Sequence, residues 1–300
     1  MRIATYQQLM AEARRIGPRA VAVAAPQEQE VLLAVADAQR QGLARFSLVG
    51  DETLIRSLAR DNGIDLTGMD LIHEPDPQTS ALRAMELISR GEAQIAMKGR
   101  VETKVFLQAA LDKDFGLRTD HLLTHVAVFE IPNYPRLILI SDAGVIINPD
   151  LEQRVEIVQN AIFVAHKLGI IEPRVAILAA VEVVNPKLAI TLDAASLSKM
   201  ADRGQIKGAL VDGPFALDNA ISVEAAQTKG IRGPVAGEAD ILITPDIESG
   251  NMLAKAITYF AHGIMAGVVV GARVPLVVSS RSDSHQSKLM SIALSVLLTN

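Results

Sequence analysis

Short apolar runs that stop at Gly, Pro, Ser or charged residues alternate along this chain with stretches whose apolar positions recur every three or four residues. That alternation predicts βα units and a parallel sheet. A helix near Tyr6 to Arg15 precedes a strand from Ala20 to Ala25, and a helix from Gln29 to Arg40 follows. Next come strand Phe46 to Val49, helix Glu52 to Asp61, strand Met69 to His73 and helix Thr79 to Ser89. Strand Gln94 to Met97 runs into Lys98-Gly99-Arg100, ahead of a helix near Thr103 to Asp112.

The rhythm changes between Gly116 and Asp150. Strands Val126 to Ile131 and Leu137 to Ser141 are joined by Pro132-Asn133-Tyr134-Pro135, which reads as a hairpin and a domain boundary. A long helix from Leu151 to Leu168 has Asp150 at its start and Gly169 past its end, ordinary start and stop signals. Strand Val175 to Val181 and helix Leu188 to Asp202 resume the alternation, and a last helix covers about Asp283 to Leu298. No fixed-period repeat or low-complexity segment interrupts it.

Three apolar runs near the C-terminus end abruptly in polar residues: KGALVDGP (207–214), ADILITPD (239–246) and PLVVSSRSDS (275–284). Buried parallel strands end this way, and ligands of open α/β sheets sit beyond such carboxyl ends. The expectation is that Asp212, Thr244, Asp246, Ser280, Arg281 and Asp283 face one crevice, with the arginine suited to a small anion.

Composition narrows the chemistry. The 300 residues carry a net charge of −5 with 3% aromatics and no Trp, which argues against a nucleic-acid partner. The absence of cysteine removes disulfides, thiolate metal sites and cysteine nucleophiles. The segment 1–17 mixes acid and base as an amphipathic helix rather than a signal peptide, and the apolar run 264–272 is too short for a bilayer. A cytoplasmic protein without a membrane partner is expected.

No Rossmann or P-loop glycine motif occurs. Gly263, Gly267 and Gly271 have the spacing of a packing stripe. His121 and His125 stand four apart, as ligands on one helix face would, but lack the glutamate and third ligand of a zinc site. Lys98-Gly99-Arg100 sits where a strand gives way to a helix, where backbone N–H groups and two cations attract anions; a solvated basic turn is the alternative. Ser280-Arg281-Ser282-Asp283 has the same placement, and Asp283 either serves a site or caps the last helix. Asp142 and Asn148 are weaker instances of the same pattern.

MKG (97–99), HVAVFE (125–130), LAAVEVVNPK (178–187), KMADRGQIKGALVDGP (199–214), DNAIS (218–222), PVAGEADILITPDIESGN (234–251) and SRSDS (280–284) occur here in one order. In them the chain resembles the phosphate acetyltransferase/phosphate butyryltransferase family, most closely its butyryltransferase branch. The resemblance runs from about Gln94 to the end, and the first 90 residues share only the βα rhythm. It implies a two-domain α/β fold of the isocitrate/isopropylmalate dehydrogenase type, with parallel or mixed sheets and an active site in the interdomain cleft. With the hairpin as a boundary, 1–134 plus 284–300 form one domain and 135–283 the other.

The implied reaction moves a short acyl group, butyryl favoured, between CoA and phosphate in a ternary complex, without metal or other cofactor. The implied catalytic residues are Ser280, whose hydroxyl bonds the sulfur or carbonyl, and Arg281, which holds phosphate and developing charge. The acetyltransferase branch places its base aspartate where this chain has Gln286 and Ser287, so Asp283 becomes the candidate. Lys98, Arg100 and Thr103 match a region near the cleft, and Thr244, Pro245, Ser249, Gly250 and Asn251 line the opposite strand end; with Asp142 and Asp212 these make the expected binding set. A homo-oligomer built from dimers is also implied. The competing readings are acetyl transfer, an NAD- and metal-dependent 4-hydroxythreonine-phosphate-type dehydrogenase, and a non-catalytic acyl-CoA-binding module.

Overall fold

The computed structural model describes residues 2–300, so Met1 of the expected amphipathic segment lies outside the described residues. In chain order the elements are α1 (Tyr6–Ile16), β1 (Arg19–Ala24), α2 (Gln29–Arg40), β2 (Ala44–Gly50), α3 (Glu52–Asp61), β3 (Asp70–His73), α4 (Pro77–Ser89), β4 (Ile95–Lys98) and α5 (Thr103–Ala110). A 3-10 turn (Lys113–Phe115), β5 (Thr124–Glu130), β6 (Ile138–Ser141), α6 (Leu151–Lys167), β7 (Arg174–Leu178), α7 (Ala189–Asp202) and β8 (Leu210–Phe215) follow. The chain ends with α8 (Leu217–Ile221), α9 (Val223–Thr228), β9 (Ile241–Ile243), α10 (Ile247–Phe260), β10 (Ile264–Val270), β11 (Leu276–Val277) and α11 (His285–Leu298).

Two compact units divide the chain. The first comprises Tyr6–Leu123 and Met265–Asn300, the second Thr124–Ile264 with the N-terminal residues up to Thr5. The expected cuts at 134/135 and 283/284 fall elsewhere for a physical reason. β5 and β6 pair antiparallel, Val128 opposite Leu139, so a boundary in their turn would split a hydrogen-bonded hairpin. β11 lies beside β4 in the first unit, with Leu276 opposite Ala96, so the return to that unit precedes the last helix.

In the first unit the strand order is β3-β2-β1-β4-β11-β10. β1 pairs parallel with β2 and β4, and its interior residues Val21 to Ala24 are wholly buried, as expected of a strand covered on both faces. β11 runs parallel to β4 and antiparallel to β10. α11 is buried from Ser287 to Leu298 and packs on α1 and α2. Ser291 and Ser295 satisfy their hydroxyls on carbonyls one turn back, at 2.8 Å each, which lets them sit inside the core.

The second unit has the order β5-β6-β9-β7-β8. α6 opens with Asp150 accepting from the Gln153 N–H at 2.9 Å while Gln153 accepts from the Asp150 N–H at 3.0 Å, a reciprocal cap. Arg2 pairs with Asp240 at 2.6 Å, and the Ile3 N–H donates to the Leu168 carbonyl at 2.9 Å, fastening the N-terminus to this unit.

Three element edges differ from expectation. β7 stops at Leu178 and gives way to an irregular loop. β8 continues through Asp212-Gly213-Pro214 to Phe215 rather than ending at the aspartate. α11 starts at His285 and is capped by Ser284, which accepts from the Ser287 N–H at 3.2 Å, so Asp283 is not the cap. Among the described residues no helix is long and apolar enough to cross a membrane.

Candidate active site

Three neighbouring strands of the first unit, β1, β4 and β11, deliver three turns side by side. Ala24 stands opposite Lys98, and Val277 opposite Met97. The turn after β4 is pressed onto the end of β1: the Gly99 N–H donates to Ala24 O at 2.8 Å and the Arg100 N–H to Ala25 O at 2.6 Å. A Cβ on Gly99 would lie 2.2 Å from Ala25 O, closer than any side chain tolerates, so this contact requires glycine.

Those bonds overturn part of the sequence expectation. The backbone N–H groups predicted to attract an anion are occupied by β1. Lys98 is buried, and its Nζ donates to Gly99 O at 3.3 Å and Val101 O at 3.0 Å, so it braces its own turn. Burial pushes its ammonium below the ordinary lysine value; Glu28 and Asp283 pull it back up, while Arg281 and Lys288 add to the lowering. Arg100 is exposed, and Thr103 is half-buried as the first residue of α5.

The turn after β11 is fixed more tightly. The Ser280 N–H donates to Asp283 Oδ2 at 2.8 Å, and the Asp283 N–H returns a bond to Ser280 O at 3.2 Å. Lys288 reaches back from the first turn of α11, donating through Nζ to Ser280 O at 2.9 Å and Asp283 O at 2.7 Å. Asp283 is buried under the turn, whereas Ser280 and Arg281 are exposed on it. Ser280 Oγ lies 3.1 Å from Ser282 Oγ. Among the described residues the Arg281 guanidinium has no hydrogen bond or ion pair, a charged fork held out on a braced loop.

In the second unit most of the expected ligand-binding groups are engaged in holding the framework. Asp142 is buried: Oδ2 accepts from the His125 N–H at 2.8 Å, and Oδ1 from the Gly144 and Val145 N–H groups at 2.7 and 2.8 Å. Both oxygens accept from backbone N–H groups. Thr244 is buried and donates to Asp142 O at 3.0 Å. Asp246 accepts from the Ser249 N–H at 2.8 Å and its own N–H donates to Ser249 Oγ at 3.4 Å, the reciprocal cap of α10. Gly250 packs where a Cβ would meet Asp142 O at 2.4 Å.

Pro245 is half-buried and Asn251 exposed, Nδ2 lying 3.5 Å from Ala143 O. Asp212 does not join this group. It sits within β8, two strands from β9, and accepts from its neighbour's Gly213 N–H at 2.8 Å. His121 lies in a turn and His125 in β5, so they share no helix face.

Sequence reading missed Glu28 and Lys288. Glu28 caps α2 without a side-chain cap bond, and its Oε1 lies 3.4 Å from Lys288 Nζ. The available signal was Lys288 itself, the one Lys, Arg, Asp or Glu between 284 and 300. A lone lysine in an apolar helix needs buried partners.

The arrangement, an α/β sheet whose strand-end loop presents an unpaired guanidinium beside a hydroxyl, defines a fold and site suited to anionic substrates. The structure of a branched-chain phosphotransacylase from Enterococcus faecalis V583 superimposes with a TM-score of 0.83 at 33% identity, covering 94% of this chain and 99% of that one. The family description phosphate acetyl/butaryl transferase matches residues 77–296, and the chain belongs to that family. A phosphate butyryltransferase of Clostridium acetobutylicum is 46% identical over 296 residues, 99% of this chain and 98% of that protein. A phosphate acetyltransferase of Thermotoga maritima is 44% identical over 291 residues, 97% of this chain and 98% of its own. These alignments take in the first 90 residues, where the sequence alone offered only a shared rhythm.

Proposed function

We propose that this protein transfers a short-chain acyl group, butyryl favoured, between CoA and inorganic phosphate within a ternary complex. The observation that carries the reading is the braced turn presenting Ser280 and an unpaired Arg281. In the phosphate-consuming direction a phosphate oxygen attacks the thioester carbonyl, the C–S bond breaks, and the phosphate proton ends on sulfur. Arg281 binds phosphate and the negative charge that develops on the carbonyl oxygen; Ser280 Oγ donates to that oxygen or to the departing sulfur. Asp283 passes the proton to sulfur and takes it from the thiol in reverse, while its bond to the Ser280 N–H orients the hydroxyl.

In the first unit, Arg100 and Thr103 retain the part of substrate contacts. Lys98 acts by bracing the Arg100 turn. The protein works in the cytoplasm as a homo-oligomer built from dimers and takes no metal or cofactor beyond its substrates; these readings rest on the family resemblance.

The test is phosphate-dependent release of CoA thiol from acetyl- through hexanoyl-CoA, followed with a thiol reagent, to which a cysteine-free protein adds no background. Release that peaks at butyryl supports the reading, and a peak at acetyl assigns the acetyl branch. Equal release without phosphate indicates a thioesterase. No release from folded protein returns the question to the dehydrogenase or the binding module.

A further inference from the structure

Glu28, Lys98 and Lys288 bring three charges together where β1, β4 and β11 end. Lys288 is buried, 1% exposed at its side chain, and its Nζ is the only group that joins Ser280 O and Asp283 O across the turn among the described residues. Lys98 is 5% exposed and ties Gly99 O to Val101 O in the same manner. Each ammonium therefore holds one strand-end turn by its carbonyls. Glu28 belongs to the third turn; it faces Lys288 at 3.4 Å and attracts Lys98 as well. Its Oε1 is fully buried and accepts no hydrogen bond, so what it offers is charge.

Arg281 and Lys288 both repel the Lys98 ammonium. Facing Lys98 are Glu28 and Asp283 as anions, with Arg281 and Lys288 as cations. The carboxylate in ion-pair distance of Lys288 is Glu28, at 3.4 Å. Removing a buried counter-charge costs more than the pair's net worth, because the remaining charges stay desolvated. The cheapest relief is for a lysine to swing out, releasing the carbonyls it holds.

We propose that Glu28 is a positioning residue for acyl transfer: as the counter-ion of Lys288 it keeps the turn after β11 braced, so that Ser280 and Arg281 are presented in fixed geometry. The catalytic half of this rests on the acyl-transfer reading; the bracing half does not.

The experiment compares wild type, Glu28→Gln, Glu28→Asp, Lys288→Met and Glu28→Gln/Lys288→Met in two readouts. In thiol release, Glu28→Gln is expected to lower kcat at least tenfold while KM for acyl-CoA moves less than threefold, Glu28→Asp recovering part of the loss. The double variant is expected to be no worse than the more damaged single one, because both remove one brace. In hydrogen exchange, the Ser280 and Asp283 amides of Glu28→Gln are expected to exchange at least tenfold faster, with β1 protected as in wild type. Unchanged exchange at those amides, or losses in the two single variants that multiply, overturns the positioning role. Wild-type protein inactive in thiol release overturns the acyl-transfer reading and the catalytic half with it, while hydrogen exchange still decides the bracing. Should Lys288→Met fail to fold, Glu28→Gln and Glu28→Asp suffice for both readouts.

Discussion

Arg281 is the residue on which the proposed chemistry turns, because it is charged, exposed and has no hydrogen bond or ion pair among the described residues. Losing one preorganised donor to a developing oxyanion typically costs about 3 kcal/mol of barrier. Arg281→Ala is accordingly expected to lower turnover about a hundredfold or more with an unchanged unfolding midpoint, and near-normal kinetics would remove it from the mechanism. Asp142 is the opposite kind of residue. Asp142→Ala strands three backbone N–H groups and is expected to cost about 3 kcal/mol of stability or more, Asp142→Asn less, in chemical denaturation. Lys98 adds a pH dependence. Its proton is held more weakly in the folded chain than the ordinary value of 10.5, so below that value there is a window in which the unfolded state binds more protons. Stability therefore rises with pH through that window, and Lys98→Met is expected to flatten the slope of denaturation midpoint against pH.

Among elements, the meeting of β1 and β4 has the least slack. Gly99→Ala forces a methyl into the Ala25 carbonyl, and since the obstacle is backbone, the strand ends must part. A loss of about 1–3 kcal/mol is expected in thermal or chemical unfolding, and an unchanged midpoint would show that the turn yields. Most elements were legible because apolar period and stop residues coincide: Gln29–Arg40 and Glu52–Asp61 fall where the pattern puts them. Where the edges moved, tertiary pairing prevailed over local signal. Asp212-Gly213-Pro214 reads as a turn, yet pairing with β7 carries β8 to Phe215. What each candidate side chain touches was not legible. Ser280 and Arg281 do lie in a turn beyond a strand, whereas the backbone groups that Asp142, Thr244 and Ser249 satisfy leave no trace in composition. Glu28 was invisible, since nothing local says that position 28 will face position 288.

For the whole molecule, substrate binding ought to be visible without catalysis. Coenzyme A at a hundredfold over its Kd stabilises a protein by about 2.7 kcal/mol, which for a chain of this length is a rise of about 4 °C in the thermal midpoint. A further rise on adding phosphate is expected if both substrates bind together, and a phosphate response that vanishes in the presence of CoA would contradict the ternary complex.

The first unit is assembled from both ends of the chain, Tyr6–Leu123 and Met265–Asn300, with β11 beside β4 and α11 against α1 and α2. During translation the ribosome delivers its first half early and then spends roughly 7–30 s on the intervening residues 124–264 before the missing pieces can arrive. Through that interval the flank of β4 and the apolar faces of α1 and α2 stand uncovered, while the second unit has its whole sequence and is free to fold. The nascent chain is thus a client for a chaperone that shields the emerging N-terminal half, and the residues that complete the Arg281 turn are made only after all of 124–264.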